Sequence, residues 1–362
     1  MRTSLRVAII LMVFSGHALA AKGKKGAAPK GPVETMDSND PTAQEVSEKK
    51  QAAPKPETEE ELAAKEARAD AAKVKKSRAR DKTSVFGNVL IGFGRAPEPG
   101  PGADKVTGKT TSATFMVGGH YDLSPMFTVG LRLPWTIGSV RQLDGSNAST
   151  QALGAPELMG EYRVELSPFT RLPIFFGLGI PIAQGNQDGA PSNLQRAYLN
   201  DVADAASGYR DPELFGWKRL PIIAGVGIDY ERKALNLHAA TKFVAGVNAG
   251  GKSTVTYQAG TIELKSIAFR NVTSAGIAYQ FLAKPELFGA LDSWFAYNAV
   301  SPIEYTSNEG AVPPTRFQVV FEPRVGARFG KISPSLGYVF PIGGRLADTS
   351  ASGLELHCDV AF

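Results

Sequence analysis

The chain has 362 residues, of which 43% are hydrophobic and 21% are charged, and its formal net charge is +5. No stretch of eighteen consecutive apolar residues is present, so the sequence excludes a helical membrane protein. The single cysteine, Cys358, excludes an intramolecular disulfide and a cysteine metal centre.

The first twenty residues have the pattern of a secretory signal peptide. Arg2 and Arg6 precede an apolar stretch at 7–14, and a small-x-small cleavage site ends at Ala20. The apolar stretch is too short to form a membrane-spanning helix. We therefore predict that residues 1–20 are a signal peptide and that the protein is exported.

Residues 21–83 differ in composition from the rest of the chain. They are mostly Ala, Lys, Glu and Pro, and such a segment buries too little apolar surface to offset its ordering entropy. Within it, residues 57–80 lack Gly and Pro and place acids before bases, which favours a solvated helix. We predict a charged arm, disordered to helical, which is either a simple spacer or a contact for peptidoglycan or periplasmic proteins.

From residue 84 onward, segments of alternating apolar and polar residues recur. The last is typical: Leu354, Leu356 and Cys358 fall on one face, whereas Glu355 and His357 fall on the other. A period of two predicts β-strands with one apolar and one polar face. The strand candidates are 84–94, 112–122, 127–138, 156–166, 171–183, 219–230, 234–246, 271–282, 287–299, 315–329, 331–342 and 353–362.

The connections between these candidates alternate strictly in length. Short turns of one to four residues alternate with long loops at 95–111, 139–155, 184–218, 247–270, 300–314 and 343–352. Bacterial barrels have short periplasmic turns and longer extracellular loops, and both chain ends on one side require an even strand number. We predict twelve strands, with ten or fourteen as alternatives because residues 255–268 also have strand character.

Residues 84–362 resemble bacterial porin-like outer-membrane β-barrel proteins. The resemblance rests on these strands, on the export signal and on the aromatic last residue, Phe362. No motif points to one subfamily. The resemblance implies an all-β fold, an antiparallel up-and-down transmembrane barrel that contacts outer-membrane lipid. The arm and the C-terminus are then both periplasmic. The competing fold, a soluble β-sandwich, would need a second layer to cover the apolar faces.

The polar faces of the strands supply the candidate functional residues. A charged side chain facing lipid is costly, so these groups are expected to point into the lumen. The candidate pore-lining residues are Arg132, Glu161, Arg163, Asp229, Lys242, Asp292, Glu322, Arg324 and Arg328; Glu157, Glu165, Gln318, Glu355 and Asp359 share the inward register. They predict either a charge-selective channel lining or internal salt bridges that close a rigid barrel.

The longest loop, 184–218, contains apolar residues at helical spacing over 192–206. Two positions for such a helix are consistent with the sequence. It folds over the mouth or into the lumen as a constriction, or it lies on the cell surface.

The sequence lacks the arrangements that carry catalysis or metal binding. Three histidines follow the signal peptide, His120, His238 and His357, and none has the close His–Ser spacing of outer-membrane lipases. No His or Cys pair has metal-ligand spacing, and residues 84–362 carry equal numbers of acidic and basic residues. We predict no enzymatic activity, no cofactor, no metal and no nucleic-acid partner.

The sequence therefore predicts a passive porin-like channel for small polar solutes. The alternative is a non-enzymatic outer-membrane anchor. In that case the periplasmic arm would tether the cell wall or join an envelope-spanning machine for secretion, polysaccharide export or motility. The sequence names neither the solute nor the partner.

Overall fold

The structure is a computed structural model, and it describes residues 58–80, 83–94, 110–141, 147–183, 199–200, 202–216, 219–250, 254–257, 260–307, 310–312, 316–348 and 350–362. All of them belong to one compact unit, Glu57–Phe362. The predicted signal peptide and the predicted disorder at 21–57 lie outside the described residues, so both stay predictions.

Alternating side chains over about ten residues at a time produce β-strands throughout the chain after residue 83. In chain order the described strands are β1 Thr83–Gly94, β2 Thr110–Ser124, β3 Phe127–Arg141, β4 Asn147–Leu153, β5 Glu157–Glu165, β6 Thr170–Gly179, β7 Arg219–Arg232, β8 Leu235–Asn248, β9 Thr254–Tyr257, β10 Gly260–Leu264, β11 Ile267–Ala283, β12 Glu286–Val300, β13 Ile303–Ser307, β14 Gly310–Val312, β15 Phe317–Arg328, β16 Ile332–Gly344 and β17 Ser352–Ala361.

The main sheet closes on itself as an antiparallel barrel. Its order is β2-β1-β17-β16-β15-β12-β11-β8-β7-β6-β5-β3-β4, and β2 also pairs with β3. Strands β4 and β5 pair with different halves of β3, so together they form one interrupted position in the wall. The barrel therefore has twelve strand positions, which confirms the predicted all-β fold and strand number.

Two segments differ from the predicted boundaries. Residues 147–153, predicted as part of loop 139–155, form β4, because β3 is long enough to pair with a second strand above β5. The strand character at 255–268 is real, but β9 and β10 join β13 and β14 in a separate sheet of order β14-β13-β10-β9. This four-stranded sheet adds no position to the barrel wall.

Large apolar side chains cover the outer face of the barrel. On β3, Leu131, Leu133 and Trp135 keep 43–44% of their surface exposed, and Phe176 and Tyr338 on other strands keep 52% and 44%. An exposed apolar surface of this extent is unusual for a soluble monomer and matches the lipid-facing band of membrane barrels.

The two ends of the barrel differ. Turns at 125–126, 166–169, 233–234, 284–285 and 330–331 define the short-turn end. The opposite end, the long-loop end, carries the four-stranded sheet because β10 leads into β11 after two residues. There Arg219 donates from Nη2 to the carbonyls of Lys265 and Pro302, at 2.9 and 2.6 Å, and ties the loops to β7.

The predicted arm helix is present as α1, Glu59–Arg80. Thr58 and Glu61 form a reciprocal capping box, with Thr58 N to Glu61 Oε2 at 3.1 Å and Glu61 N to Thr58 Oγ1 at 3.3 Å. The helix reaches the short-turn end of the barrel, where Asp70 lies 3.9 Å from Lys233, and Val74 is buried. Within the described residues, no helix combines the length and apolarity needed to cross a bilayer.

Candidate functional site

Residues 199–216 lie inside the barrel, and we call them the lumen segment; residue 201 is not described. Residues 199–200 and 202–206 are helical, and Pro212–Leu214 forms a short 3-10 turn. The side chains of the segment bond to β3, β8, β11, β15 and β17, which surround the lumen. Of the two predicted positions for this helix, the structure therefore supports the lumen. Residues 192–198 of the predicted helix are outside the described part.

Small residues let the helical part of the lumen segment lie close to the wall. Ala203 and Ala206 are almost fully buried, and Ala206 packs in a cluster with Leu90 and Val320. A Cβ added at Gly92 of β1 would lie 2.6 Å from the Ala206 Cβ. Close packing on this side thus depends on glycine in the wall and alanine in the segment.

A glycine turn follows the helical part. Gly208 has a φ of 66°, in the left-handed region that favours glycine. Its carbonyl accepts a hydrogen bond of 2.8 Å from Trp294 Nε1 on β12. The turn redirects the chain, and the adjacent residues Arg210 and Asp211 that follow Tyr209 point to different sides of the wall.

Arg210 joins the lumen segment to the acidic side of the wall. Its guanidinium donates from Nη1 to Glu322 Oε2 at 2.8 Å and from Nη2 to Glu355 Oε2 at 2.9 Å. The same group lies 5.5 Å from the ring centre of Trp294. Both carboxylates are buried, so these are charge-assisted bonds in a desolvated site.

Asp211 and Glu213 join the segment to the basic side of the wall. Arg132 on β3 lies 3.0 Å from a carboxylate oxygen of each, and Lys242 on β8 lies 3.2 Å from Asp211 and 2.7 Å from Glu213. Burial alone would raise the pKa of Asp211, but Lys242, Arg132 and Arg210 outweigh it and hold that pKa well below its usual range. Asp211 is therefore ionised at neutral and mildly acidic pH.

A third ion pair involves Asp204, whose Oδ2 lies 3.2 Å from Arg270 Nη1 on β11. The Arg270 guanidinium also lies 4.9 Å from the ring centre of Tyr209. Burial raises the pKa of Asp204 to about 6, although Arg270 acts in the opposite direction. The Asp204 carboxyl therefore takes up a proton near pH 6 rather than near its ordinary pKa of 3.8.

The predicted pore-lining residues occupy two levels of the lumen. Three of them, Arg132, Lys242 and Glu322, contact the lumen segment directly. Arg324 connects this level to the next, since its Nη2 lies 2.8 Å from Glu322 Oε1 and 3.2 Å from Asp292.

The remaining predicted residues lie nearer the short-turn end. Arg163 bonds to Glu161 at 2.5 Å, and Asp229 lies 3.8 Å from Arg171. Arg328 lies 3.9 Å from Glu286, and both side chains are more than 40% exposed. That all of these residues line a conducting pore stays a prediction.

Below the lumen segment, the interior of the barrel is polar and open to solvent. The side chains of Glu161, Asp229 and His238 keep 36%, 31% and 40% of their surface exposed. By contrast, the gap between the segment and strands β1 and β2 has a volume of only about 20 Å³, enough for a single water. The barrel thus contains a solvated vestibule beneath a close-packed constriction.

Sequence reasoning missed half of the constriction. Arg210, Asp211, Glu213 and Trp294 were not among the candidate residues. The first three follow the helical pattern in a long loop, where no periodicity indicates which way they point. Trp294 lies on the inward-facing side of the alternating pattern of β12, so the sequence pattern was sufficient to identify it.

Two of the histidines have partners that sequence spacing did not show. His120 lies opposite Ser84, whose Oγ is 3.1 Å from Nε2 and 3.3 Å from Nδ1. His238 Nε2 lies 3.1 Å from Asp292 Oδ1. A hydroxyl nearly equidistant from both ring nitrogens is not aligned with either one as a nucleophile needs to be. Among the described residues, no group of His, Cys, Asp and Glu has the arrangement of a metal site.

Comparison with known proteins supports the fold. No family model matches the chain, and no curated protein matches its sequence. An outer-membrane channel from Pseudomonas putida F1 superposes with a TM-score of 0.51 at 13% identity, over 77% of this chain and 95% of the other. At that identity the similarity establishes a shared barrel fold.

Two further solved structures are similar at lower scores. The NanC porin has a TM-score of 0.41 at 7% identity, covering 76% of this chain and 98% of its own. The transport unit of the autotransporter AIDA-I from Escherichia coli has a TM-score of 0.44 at 10% identity, covering 81% and 97%.

Proposed function

We propose that this protein is an outer-membrane channel for small polar solutes and that the lumen segment closes the channel in this structure. The observation that carries the proposal is the solvated, charged vestibule beneath the constriction. A barrel with only a structural role has no need of half-exposed ionisable groups on its inner wall, whereas a solute path requires them.

The direction of the channel follows from the two barrel ends. We assign the short-turn end, with the vestibule and α1, to the periplasm and the long-loop end to the outside, as in bacterial barrels. The exposed apolar side chains then face outer-membrane lipid. Solute would enter at the long-loop end and pass the constriction when the lumen segment moves.

The constriction is a suitable gate because ion pairs hold it. A buried ion pair that loses one partner costs about 3–5 kcal/mol, yet replacing the partner restores most of that energy. The wall can therefore release the segment when other charged groups or water take its place. A seal made only of apolar contacts would offer no such exchange.

The test is the single-channel conductance of the purified protein in planar bilayers. We expect rare openings for the wild type and a much higher open probability for Arg132→Met, by about 100-fold or more, because two segment carboxylates lose one of their two shared partners. Arg171→Met is the matched control, since Arg171 pairs with Asp229 in the vestibule and does not touch the segment.

Sealed bilayers for both wild type and Arg132→Met would contradict the channel function. If channels form, Arg324→Glu should shift the reversal potential toward cation selectivity. An unchanged reversal potential would remove Arg324 from the solute path. Absence of enzymatic activity stays a prediction, for which a hydrolysis assay of wild type against Ser84→Ala is the direct measurement.

A second candidate, an envelope anchor, is favoured by one observation on α1. Most side chains in the first half of this helix are exposed, including Leu62, of which half the surface is open. An exposed, charged helix at the short-turn end can bind peptidoglycan or a periplasmic protein without obstructing the barrel. Cross-linking from Leu62 in intact cells tests this role separately from conductance.

A further inference from the structure

Building on the proposed channel function, we propose that the wall around the constriction is a binding site for short peptides that carry an arginine next to an acidic residue. In the closed state residues 208–214 occupy this site as an internal mimic of the ligand. Three features support this site: the distribution of charge in the wall, the contacts that hold the charged wall groups, and two wall donors that bond to main-chain carbonyls.

The wall has two oppositely charged sides at the height of the segment. The acidic side consists of Glu322 on β15 and Glu355 on β17, with the Trp294 ring beside them. The basic side consists of Arg132 on β3 and Lys242 on β8. In the strand order, β15 and β17 lie across the lumen from β3 and β8. A ligand that satisfies both sides must carry a cation and an anion a short distance apart.

Contacts within the wall hold these groups whether or not the segment is present. Glu355 accepts a bond of 2.7 Å from Asn88, and Glu322 accepts one of 2.8 Å from Arg324. Arg132 has its own wall partner in Glu157, at 2.5 Å. Glu322, Glu355 and Arg132 therefore keep these wall partners when the lumen segment leaves, and preorganised groups of this kind favour ligand binding.

Two hydrogen-bond donors in the wall bond to main-chain carbonyls of the lumen segment. This points to a peptide ligand rather than a single amino acid or a sugar. Trp294 Nε1 donates to the carbonyl of Gly208 at 2.8 Å. The Ala155 amide, in the gap between β4 and β5, donates to the carbonyl of Leu214 at 2.6 Å. The two acceptors are six positions apart in the chain, so the wall recognises a stretch of backbone as well as its side chains.

The order of charges gives the site its specificity. The segment presents a guanidinium at 210, a carboxylate at 211 and another at 213, and only this order meets the acidic side first and the basic side second. Exchanging the first two places each charge against a wall of its own sign. Such a repulsive mismatch discriminates more strongly than the loss of an attraction.

The experiment uses the full-length double variant Arg210→Ala/Asp211→Ala, in which the segment loses its bonds to Glu322 and Glu355 and the Asp211 bonds to Arg132 and Lys242. The probe is a blocked heptapeptide with the sequence of residues 208–214, which includes both recognised carbonyls, and the control peptide exchanges its arginine and aspartate. We expect the first to block the variant's current at a concentration about tenfold or more below that of the control. Equal block by both peptides overturns the proposal. Arg232→Ala, changed at the short-turn end, is the matched control protein.

Separate readouts distinguish this proposal from the channel function. If the variant conducts and the peptides do not differ, the site fails and the channel stands. If the variant is sealed but the cognate peptide alone shifts its tryptophan emission, the site stands and the channel fails.

A variant that does not fold, shown by loss of heat-modifiable gel mobility, is replaced by the wild type. In the wild type the cognate peptide should compete with the segment and raise the open probability several-fold. An identical effect of the control peptide, or no effect of either, overturns the proposal.

Discussion

Gly208 is the residue on which the seating of the lumen segment depends most directly. A Cβ at this position would lie 2.8 Å from Trp294 Cζ2 and 2.9 Å from Val320 Cγ1. Gly208→Ala should therefore displace the turn and raise the open probability in bilayers, by about 10-fold or more for a cost of one to a few kcal/mol.

Gly330 provides the matched control for this substitution. It has the same φ of 66°, but a Cβ there would meet no atom within 4 Å. Gly330→Ala thus carries the same backbone penalty without the contact with Trp294. Equal effects of the two substitutions on channel opening would show that the packing against Trp294 is irrelevant to the seal.

For single residues, the sequence predicted which face of a strand a side chain occupies better than it predicted the bonding partners of that side chain. The alternation around Leu131 and Arg132 correctly predicted an outward leucine and an inward arginine, because a strand has only two faces. It did not predict that Arg210 would bond to Glu322 and Glu355, which are 112 and 145 residues away in the chain. Nothing local in the sequence records such distant contacts.

Among the elements, the lumen segment should respond to pH through Asp204. Its pKa of about 6 in the seated state exceeds the ordinary 3.8, because burial, with added repulsion from Glu213 and Asp211, outweighs attraction by Arg270. The seated state therefore takes up a proton as the pH falls through 6, and acid favours closure.

The expected measurement is a fall in open probability of about tenfold between pH 7 and pH 5. Asp211 contributes no opposing change in this range, since its pKa lies well below. Asp204→Asn should mimic the protonated state and remove most of the pH response. A wild-type channel that opens on mild acidification would contradict the assignment to Asp204.

The arm is the element that the barrel should tolerate losing. The described contacts of α1 with the barrel include a 3.9 Å pair between Asp70 and the largely exposed Lys233, which contributes little. Deleting residues 22–80 should leave the heat-modifiable gel mobility of a folded barrel. Lys233→Ala is the control for the Asp70–Lys233 ion pair. Loss of that mobility in the deletion would place α1 within the folded structure and move the predicted boundary at residue 83.

The secondary-structure elements differ in how well local sequence patterns predict them. The absence of Gly and Pro and the placement of acids before bases over 57–80 were local signals, and α1 was predicted from them. The strands at 255–268 were equally visible, but whether they joined the barrel depended on pairing with 303–307. Pairing between distant strands is a tertiary property, so the sequence left ten, twelve and fourteen strands open.

For the whole molecule, the orientation in the membrane can be measured by cysteine labelling. In a Cys358→Ser background, Ser350→Cys at the long-loop end should react with an impermeant maleimide on intact cells. Arg232→Cys at the short-turn end should react only after the cells are lysed. The opposite pattern would reverse the proposed orientation and place α1 outside the cell.

The adjacent residues Arg210 and Asp211 also have a mechanical consequence for the barrel. Through them, β15 and β17 on one side are tied to β3 and β8 on the other. A hollow closed sheet can flatten into an ellipse by small changes in strand tilt, and a tie across its cross-section resists that flattening. The closed barrel should therefore be stiff and nearly insensitive to the lateral pressure of the bilayer. Once the tie is released, the same wall becomes compliant, and membrane thickness and tension would then bear on the width of the opening.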